Sequence, residues 1–497
     1  MRKTIQNIVV LGGGTAGLLS ALTLRRQLPN VSVTLVQSPQ IGTIGVGEGT
    51  TPIFPRHLLE TLRVDARQLY TKAKPTWKLG IRFFWGSRPV FYYSFTSQFD
   101  ARWSDLPRPH GFYCFEEYRP ADLASALMAA AKCAPRRLDG TPDFLAATAL
   151  HVENAHLVSW LDEECRKAGV KFLEGTVRSI DRSESIKALV LEDDRRIEGD
   201  FFVDASGFRR ELVGHFLDQP FEDWSNALFC DRALIGGWKR DEEAILPYTT
   251  AETMSAGWSW QIEHEHFINR GYVYSSAFVS DDEAQREFLL QNPKILPTAT
   301  RVVKFKSGSL RNSWIRNCVA VGNSAGFVEP LEATALSVLV LSVRAIAEVL
   351  ADSVLRPTEA HAIAYNRYVR GAWEETRDFL ALHYRFNDRV DSPFWIHARE
   401  HTPLGAIAPL VEFYQDAGPA QFGRYLMQSA DNIYALEGHL ALLVGQRVPF
   451  RASYSPSSAE IATWSRHIAD YAAKARIGLT VAESLASIRS PQWRWDS

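Results

Sequence analysis

A glycine-rich turn near the start of the chain constrains the fold more than any other feature. The sequence Gly12-Gly13-Gly14-Thr15-Ala16-Gly17 follows a β-branched run at residues 5–11 and precedes residues 16–27, where apolar side chains recur at helical spacing. A second apolar run at residues 31–36 predicts another strand. The order of strand, glycine turn, helix and strand predicts the βαβ unit of a Rossmann-like α/β fold, which binds dinucleotides.

The positions of the glycines explain why this turn suits a cofactor. Gly12 permits the tight turn, Gly14 lets the backbone approach a pyrophosphate, and Gly17 lets the helix pack close to the strand. Thr15 and Ala16 begin the helix, and a helix N-terminus offers free N–H groups to phosphates. We therefore expect these five residues to bind the cofactor.

Residues beyond this turn favour FAD over NAD. Gln37, or alternatively Ser38, stands where an acid usually binds the ribose. Asp204-Ala205-Ser206-Gly207 resembles the second flavin-contacting turn of the glutathione-reductase-like FAD fold. Gly322-Asn323-Ser324-Ala325 resembles its third motif, in which Asn323 replaces the usual Asp. No second GxGxxG follows a strand, so we expect no NAD(P)H domain and a separate reductase that supplies reduced flavin.

The rest of the chain predicts one large α/β module with helices after it. Apolar runs at residues 187–192 and 196–203 predict a hairpin, and residues 319–322 predict a buried strand. We expect a discontinuous FAD-binding module at residues 1–350 and a mostly helical, substrate-binding part at residues 351–497 packed on it. Helices are predicted in the second part at residues 359–383, 409–415 and 458–477.

Composition excludes several classes of protein. The chain has 497 residues, 46% of them hydrophobic, and a formal net charge of −2, which disfavours a nucleic-acid or anionic-membrane partner. The apolar segment 333–351 contains Arg344 and Glu348, so we expect a buried helix rather than a membrane span. No Cys or His spacing typical of a metal site occurs, and we expect reduced thiols, no metal and a cytoplasmic location.

Several stretches, in order along the chain, resemble the FAD-dependent tryptophan halogenase family. The resemblance runs from residue 5 to about residue 395 and is loose over the last hundred residues. Within the first stretch it implies that Gly47, Glu48 and Gly49 contact the cofactor. The stretches are residues 44–50, 75–83, 206–209, 257–262, 330–334, and 383–384 with Arg389 and 391–395.

The resemblance implies a specific chemistry at two residues. In the family, reduced FAD, oxygen and halide give hypohalous acid, which travels through a tunnel to a lysine that corresponds to Lys78. An ammonium can hydrogen-bond hypohalous acid, and an amine can form a haloamine. Glu332 is implied to accept the proton that leaves the ring or to orient the halogenating species. The alternatives are a surface lysine at Lys78 and a helix-start carboxylate at Glu332.

The family pattern also assigns halide-binding and barrier residues. Thr334 and Ala335 are implied to bind halide through backbone N–H groups, although the family has Gly at the second position. Trp258 and Trp260 alternate along a predicted strand and are implied to separate flavin from substrate. Glu263 stands where the family has Pro, which changes the expected exit of that strand.

The substrate residues follow the pattern less closely. Ser94 stands where members that bind free tryptophan have His, and Phe95 matches the neighbouring Phe. His110 and Phe112 are further aromatic candidates, and Tyr434 matches weakly a position that holds the polar groups of tryptophan. We therefore expect that free tryptophan is not the best substrate. We expect an indole-type substrate, halogenated at the electron-rich C3, with bromide used at least as well as chloride.

Two alternatives remain open from the sequence. A flavin-dependent aromatic monooxygenase shares the dinucleotide turn, but it does not require Lys78 together with Trp258 and Trp260. A flavin-binding paralogue without turnover is compatible with the departures from the family pattern. The expected partners are a small aromatic substrate, a transiently acting flavin reductase and a second copy in a homodimer.

Overall fold

The computed structural model describes residues 4–42, 47–96, 106, 120–429, 432–452 and 454–495. The chain forms two compact units, each built from three stretches. The boundary predicted from sequence at residue 350 does not coincide with a boundary between these units. Residues 351–374 belong to the first unit, and the residues after them belong to the second. The first unit is Met1–Lys74, Val152–Trp224 and Lys306–Glu374, and the second is Pro75–His151, Ser225–Phe305 and Glu375–Ser497.

A six-stranded sheet forms the centre of the first unit. The strand Asn7–Leu11, the helix Thr15–Gln27 and the strand Ser32–Gln37 confirm the predicted βαβ unit. Ile8 and Val10 in the central strand are fully buried. Val9 and Leu11, on the opposite face of the strand, pack in one core cluster with apolar residues of the strand Ile186–Leu191. The strand order is Trp314–Ile315, Cys318–Ala320, Phe201–Asp204, Asn7–Leu11, Ser32–Gln37, Lys171–Glu174, parallel except for the first pair.

The predicted hairpin is shorter than the sequence pattern indicated. Ile186–Leu191 pairs with Arg196–Glu198, but the second run ends there, and Phe201–Asp204 is a separate strand of the parallel sheet. The break follows from Asp200, whose carboxylate accepts hydrogen bonds from the backbone N–H groups of residues 6 and 7. These bonds direct the chain from the hairpin into the six-stranded sheet.

The remaining elements of the first unit complete its core. Ala335–Asp352 has ten buried residues, which confirms the buried helix predicted there. No helix among the described residues is long and apolar enough to cross a membrane. The other helices are Ile53–Arg56, Ala66–Gln68 and Asn154–Lys167, the third strand beside the hairpin is Val177–Arg182, and a small sheet contains Phe221–Asp223, Gly308–Leu310 and Gly326–Phe327.

A buried histidine makes the stability of this unit depend on pH. His57 is 1% exposed, and its Nε2 lies 2.9 Å from Thr23 Oγ1. Burial, helped by the charge of Arg344, lowers the pKa of His57 to about 4. Between about pH 6.5 and 4, His57 is therefore protonated in the unfolded chain but neutral in the folded chain. The free energy of unfolding falls as the pH is lowered through this range.

Substitution of this residue tests the linkage. We expect the free energy of unfolding of the wild type to fall between pH 6.5 and 4 more steeply than that of His57→Gln, by up to about 1.4 kcal/mol per pH unit. Chemical denaturation at pH 7, 6 and 5 measures the two slopes. Parallel curves would show that His57 titrates alike in the folded and unfolded states.

A seven-stranded sheet forms the centre of the second unit. All of its neighbouring strands are antiparallel except Tyr248–Met254 with Gly80–Phe84. A separate short strand, Thr76–Lys78, pairs antiparallel with residues 149–151. The strand order of the large sheet is Arg301–Lys304, Arg232–Lys239, Phe267–Tyr274, Gly257–Glu263, Tyr248–Met254, Gly80–Phe84, Phe91–Ser94.

The predicted helices after residue 357 are confirmed. Glu359–Arg385 is the longest of them. Its residues up to Glu374 belong to the first unit, and the rest belong to the second. Three of the second unit's helices, Ala408–Ala417, Ser458–Arg476 and Val481–Arg489, lie near the C-terminus. The others are Leu123–Ala129, Asp281–Gln291, Pro393–His401 and Ala435–Gly445.

Candidate active site

The glycine turn of the first unit has the geometry that a dinucleotide requires. Gly12 has φ +127°, and a Cβ there would lie 2.2 Å from the carbonyl oxygen of Ala205. A Cβ on Gly17 would lie 1.9 Å from the carbonyl oxygen of Gly12. Gly14 precedes the helix without a side-chain hydrogen bond to it, and the first helical turn contains no acid. The first N–H groups of the helix can therefore serve an anionic ligand.

Polar side chains around the turn support it. Gln37 ends the second strand as predicted and covers Gly13, because a Cβ added at Gly13 would lie 2.5 Å from Gln37 Oε1. The Thr15 hydroxyl donates to Asn154 Oδ1 at 2.8 Å, so the side chain of Thr15 braces the helix start. The residues present thus fit the pyrophosphate and ribose of a flavin dinucleotide.

Asp204 shapes the second predicted turn. Its buried carboxylate accepts hydrogen bonds from Ser206 N, Ser206 Oγ, Leu212 N and Val213 N, at 2.5 to 3.1 Å. These bonds use both oxygens to order the turn and the helical segment after it. The contact of Asp204 with a cofactor stays a prediction.

The third predicted turn lies next to the first helix. Gly322 has φ +56°, and a Cβ there would lie 2.9 Å from the Cβ of Ala16. The N–H of Val321 donates to the carbonyl oxygen of Asp204 at 2.9 Å. Asn323 follows in a short 3₁₀ turn and is partly exposed. The structure therefore brings the three predicted cofactor turns together in one unit.

The short strand Glu48–Gly49 contains another implied cofactor residue. Gly47 before it has φ +85°. Desolvation by the surrounding chain raises the pKa of the Glu48 carboxyl to about 7, although the residue as a whole is only half-buried. Residues 44–46 of the same stretch lie outside the described residues.

The predicted halide residues lie at the start of a long helix. Glu332 ends a 3₁₀ turn, Ala333 has φ +56°, and Thr334 precedes the helix Ala335–Asp352. Glu332 and Thr334 are buried, and Thr334 Oγ1 has no hydrogen-bond partner within the described part of the chain. A buried helix start with a polar atom available can hold a small anion. This arrangement fits the predicted halide site.

Lys78 of the second unit is completely buried. Its relative exposure is 0%, which rules out the alternative of a surface lysine. Its Nζ lies 5.1 Å from the centroid of the Phe95 ring, and the Phe95 N–H donates to the carbonyl oxygen of Leu79 at 3.0 Å. The predicted strand is broken at Leu79, whose N–H donates to the carbonyl oxygen of Pro247 at 2.7 Å.

Buried polar groups that the sequence analysis missed support the strand of Lys78. Thr76 Oγ1 donates to the carbonyl oxygen of Glu263 at 2.5 Å, and His151 Nε2 lies 2.9 Å from Thr249 Oγ1. Burial and then the charge of Lys78 lower the pKa of His151 well below its usual value. His151 is therefore neutral at neutral pH beside the buried ammonium.

Glu263, which the sequence analysis singled out, forms a buried ion pair. Arg240 Nη2 donates to Glu263 Oε2, and the two side chains are 5% and 1% exposed. Gln261 Nε2 donates to the other oxygen, Glu263 Oε1, at 2.6 Å. The departure at Glu263 was visible in the sequence, but its distant partner Arg240 had no local signal.

The two predicted barrier tryptophans lie side by side on the strand Gly257–Glu263. The ring centroids of Trp258 and Trp260 are 6.0 Å apart, and both residues are buried. Trp260 Nε1 donates to Asn269 Oδ1 at 2.9 Å. The neighbouring strand makes room for the indole at Gly271, where a Cβ would lie 2.0 Å from a Trp260 ring carbon.

We expect Gly271→Val to displace the Trp260 ring. The new side chain would occupy the space of the indole and break its bond to Asn269, at a cost of about 1–3 kcal/mol in unfolding free energy. Chemical denaturation and near-ultraviolet circular dichroism measure the two effects. Gly371→Val is a suitable control, because a Cβ there meets no atom within 4 Å. Equal behaviour of both variants would contradict the contact.

The predicted substrate residues differ in their surroundings. Ser94 is buried, and its Oγ lies 3.1 Å from Thr96 Oγ1, which donates to Asp122 Oδ1 at 2.6 Å. Tyr434 is also buried, and its hydroxyl donates to Thr376 Oγ1 at 3.1 Å. His110 and Phe112 lie outside the described residues.

A series of aromatic rings connects Phe95, next to Lys78, with Tyr434. The ring centroids of Phe95 and Tyr93 are 5.9 Å apart, and those of Tyr93 and Phe379 are 6.0 Å apart. Phe379 stacks on Tyr434 at 3.8 Å with an interplanar angle of 13°. The second unit therefore places the predicted delivery lysine at one end of an aromatic cluster.

Known proteins resemble this chain in sequence and fold over most of its length. The tryptophan 7-halogenase KtzQ of Kutzneria sp. (strain 744) is 34% identical over 453 residues, which are 84% of this chain and 83% of that protein. MibH, a lanthipeptide tryptophan 5-halogenase, has a solved structure that is 35% identical, with a TM-score of 0.87 over 98% of this chain and 93% of that chain. BrvH, a flavin-dependent halogenase from Brevundimonas sp. BAL3, is 27% identical, with a TM-score of 0.85 over 97% and 99% of the chains.

The family assignment follows from the match to the tryptophan halogenase family, which covers residues 7–461. The chain belongs to this family, and it is a flavin-dependent halogenase, an enzyme that uses reduced flavin and halide. The resemblance seen in the sequence motifs is thereby confirmed.

Proposed function

We propose that this enzyme halogenates an electron-rich, indole-type aromatic substrate and that Lys78 delivers the halogen. The main support for the proposal is the complete burial of Lys78 beside Phe95. A lysine buried next to an aromatic ring does not contribute to solubility, which favours a catalytic role. Reduced FAD, which the glycine turns of the first unit would hold, would supply the electrons that turn oxygen and halide into hypohalous acid.

In the proposed halogen transfer, each bond and each proton is accounted for by a specific group. Hypohalous acid accepts a hydrogen bond from the Lys78 ammonium, and the ring's π electrons form the carbon–halogen bond while the oxygen–halogen bond breaks. The departing hydroxide takes a proton from Lys78 and becomes water, and Glu332 accepts the proton of the ring carbon. Exchange of one proton each with water then returns both side chains to their starting forms. Overall, the arene, halide, one proton, oxygen and reduced flavin give the haloarene, oxidised flavin and two waters.

The first unit's glycine turns would hold FAD, and the helix start at Thr334 and Ala335 would hold the halide. Trp258 and Trp260 would form a barrier between flavin and substrate, which disfavours direct oxygenation. Because no second dinucleotide turn was found in the sequence, we propose that a separate reductase supplies the reduced flavin by diffusion. Buried thiols fit the proposed reducing, cytoplasmic location; they belong to Cys133, Cys165, Cys230 and Cys318. A homodimer remains part of the proposal.

We propose that free tryptophan is not the best substrate. Ser94 and Tyr434 stand where tryptophan-binding groups are expected, but Ser94 lies in a network with Thr96 and Asp122, and Tyr434 is bonded to Thr376. MibH is a lanthipeptide tryptophan 5-halogenase, which supports an indole presented on a larger molecule as the substrate here. If the site binds only the indole ring, the electron density of the ring determines which carbon is halogenated, and this favours C3.

A product assay tests this function. The enzyme is incubated with FAD, a flavin reductase, NADH and either bromide or chloride, with indole or tryptophan as substrate. We expect halogenated indole by mass spectrometry, substitution at C3 by NMR, faster turnover of indole than of tryptophan, and bromide used at least as well as chloride. A hydroxylated product would favour a monooxygenase, and flavin binding without any product would favour a paralogue without turnover.

A further inference from the structure

The last residues of the chain lie outside the family match and pack next to the strand of Lys78. The match ends at residue 461, whereas the helix Val481–Arg489 has four buried residues, and Trp493 and Trp495 after it are half-buried. We call residues 490–495 the C-terminal tail. Two independent sets of contacts connect this tail and its helix to the strand Thr76–Lys78.

The first set is a series of aromatic rings in contact, of which the first pair is stacked and the next two are edge-on. Trp77, next to Lys78, stacks on Phe144 with a centroid distance of 4.5 Å and an interplanar angle of 18°. Trp493 of the tail meets Phe144 edge-on at 6.3 Å, and Trp495 meets Trp493 at 6.1 Å. Trp77 is buried and Trp493 half-buried. The tail therefore covers the aromatic pair behind the lysine strand.

The second set runs through the turn after the tryptophan-bearing strand. Arg489, at the end of the last helix, donates to both oxygens of Glu265 at 2.6 Å each. Two residues earlier, the carbonyl oxygen of Glu263 accepts the hydrogen bond of Thr76 Oγ1 at 2.5 Å. A bidentate arginine–carboxylate pair fixes orientation as well as distance. The same turn thus joins the last helix to the strand of Lys78.

The last helix is itself fixed at its start. Thr480 and Glu483 form a reciprocal cap, and Ser484 Oγ lies 3.1 Å from Cys133 Sγ. The N–H of Cys133 donates to the carbonyl oxygen of Leu479 at 2.8 Å. The tail is therefore attached to a rigid element rather than to a mobile end.

We propose that the C-terminal tail orients Lys78 and that Trp493 is a positioning residue for halogen transfer. Successive residues of a strand point to opposite faces, so Trp77 and Lys78 are coupled by the same short backbone segment. Packing of Trp493 and Phe144 on Trp77 resists rotation of that segment and keeps the ammonium on one line of approach. This inference rests on the proposed role of Lys78 in halogen delivery.

The orientation of Lys78 can be measured separately from a general loss of packing. When the lysine is misaligned, hypohalous acid still forms, because its formation does not involve Trp493, but more of it escapes into solution. A purely structural loss lowers the amount of folded enzyme and leaves the ratio of halogenated substrate to escaped hypohalous acid unchanged. The ratio of halogenated substrate to escaped hypohalous acid therefore distinguishes a positioning role from a structural one.

The experiment compares Trp493→Ala, Trp493→Phe and wild type in the full chain. Tyr425→Ala is the matched control, because Tyr425 is 72% exposed and lies in a separate segment, Gln421–Leu426, of the same unit. With indole and bromide, brominated indole is measured by mass spectrometry and escaped hypobromous acid by bromination of monochlorodimedone. Flavin oxidation rate and melting temperature are recorded for each protein.

We expect Trp493→Ala to lower the ratio of brominated indole to escaped hypobromous acid about tenfold. Flavin oxidation should continue, Trp493→Phe should restore most of the ratio, and Tyr425→Ala should match wild type. An unchanged ratio in Trp493→Ala, with or without a lower melting temperature, overturns the positioning role. Absence of product from wild type, or full activity of Lys78→Ala, would instead overturn the proposed function on which it rests.

Discussion

Replacement of Lys78 by alanine is expected to lower halogenated product by about 100-fold or more while oxidation of reduced flavin continues. Lys78 is completely buried beside Phe95, and the methyl group of alanine can neither hydrogen-bond hypohalous acid nor form a haloamine. In the proposed mechanism Lys78 acts only after hypohalous acid has formed, so we expect flavin oxidation to continue without this ammonium. Product by mass spectrometry and flavin oxidation by absorbance measure the two effects separately.

A lysine that makes an exposed ion pair provides the control for this variant. Lys72 pairs with Glu163, and both side chains are more than 40% exposed. We expect Lys72→Ala to retain wild-type product formation. If Lys78→Ala also retained it, the halogen would reach the substrate without this residue, and the assignment of Lys78 would be wrong.

Replacement of Arg240 by methionine is expected to lower the free energy of unfolding by about 3–5 kcal/mol. The substitution leaves the Glu263 carboxylate, which is 1% exposed, without its charged partner. Burial of an uncompensated charge costs more than the ion pair contributes, since water can no longer solvate the carboxylate. Chemical denaturation with a two-state analysis of the second unit's transition measures the loss.

Two further variants identify the cause of that loss. The double variant Arg240→Met/Glu263→Leu removes both charges, and we expect it to recover most of the stability of the wild type. Lys474→Met breaks an exposed pair with Asp470 and should cost less than about 1 kcal/mol. If the double variant were no more stable than Arg240→Met, the unpaired charge would not explain the effect. The cause would then be lost packing together with the loss of the hydrogen bonds that Arg240 donates to the carbonyl oxygens of Glu243, Ala244 and His264.

Local patterns were sufficient for the elements that depend on neighbouring residues. The βαβ unit could be predicted because a β-branched run, a glycine turn and helical spacing follow one another within residues 5–36. The helices after residue 357 were predicted for the same reason. The hairpin was predicted only in part, because the side chain of Asp200 ends it through bonds to residues 6 and 7, almost two hundred positions away.

The candidate site shows the same division. The motif around Lys78 predicted the residue, and its burial came from packing that the motif does not contain. Glu263 was noticed as a departure, but Arg240, His151 and Trp493 carried no local signal, because each meets its partner across a large separation in sequence. No periodicity reports such contacts.

The sequence by itself determined the class of this protein: a dinucleotide turn, the lysine motif and the paired tryptophans predicted a flavin-dependent halogenase, and the family match confirmed it. These motifs are readable because backbone geometry and reactive side chains require particular residues at fixed short spacings. Only the tertiary structure decided which groups surround them, such as the ring of Phe95 at the Lys78 ammonium and the aromatic cover that ends in Trp493. Burial and long-range pairing depend on how distant segments fold together, and local sequence does not encode those distances.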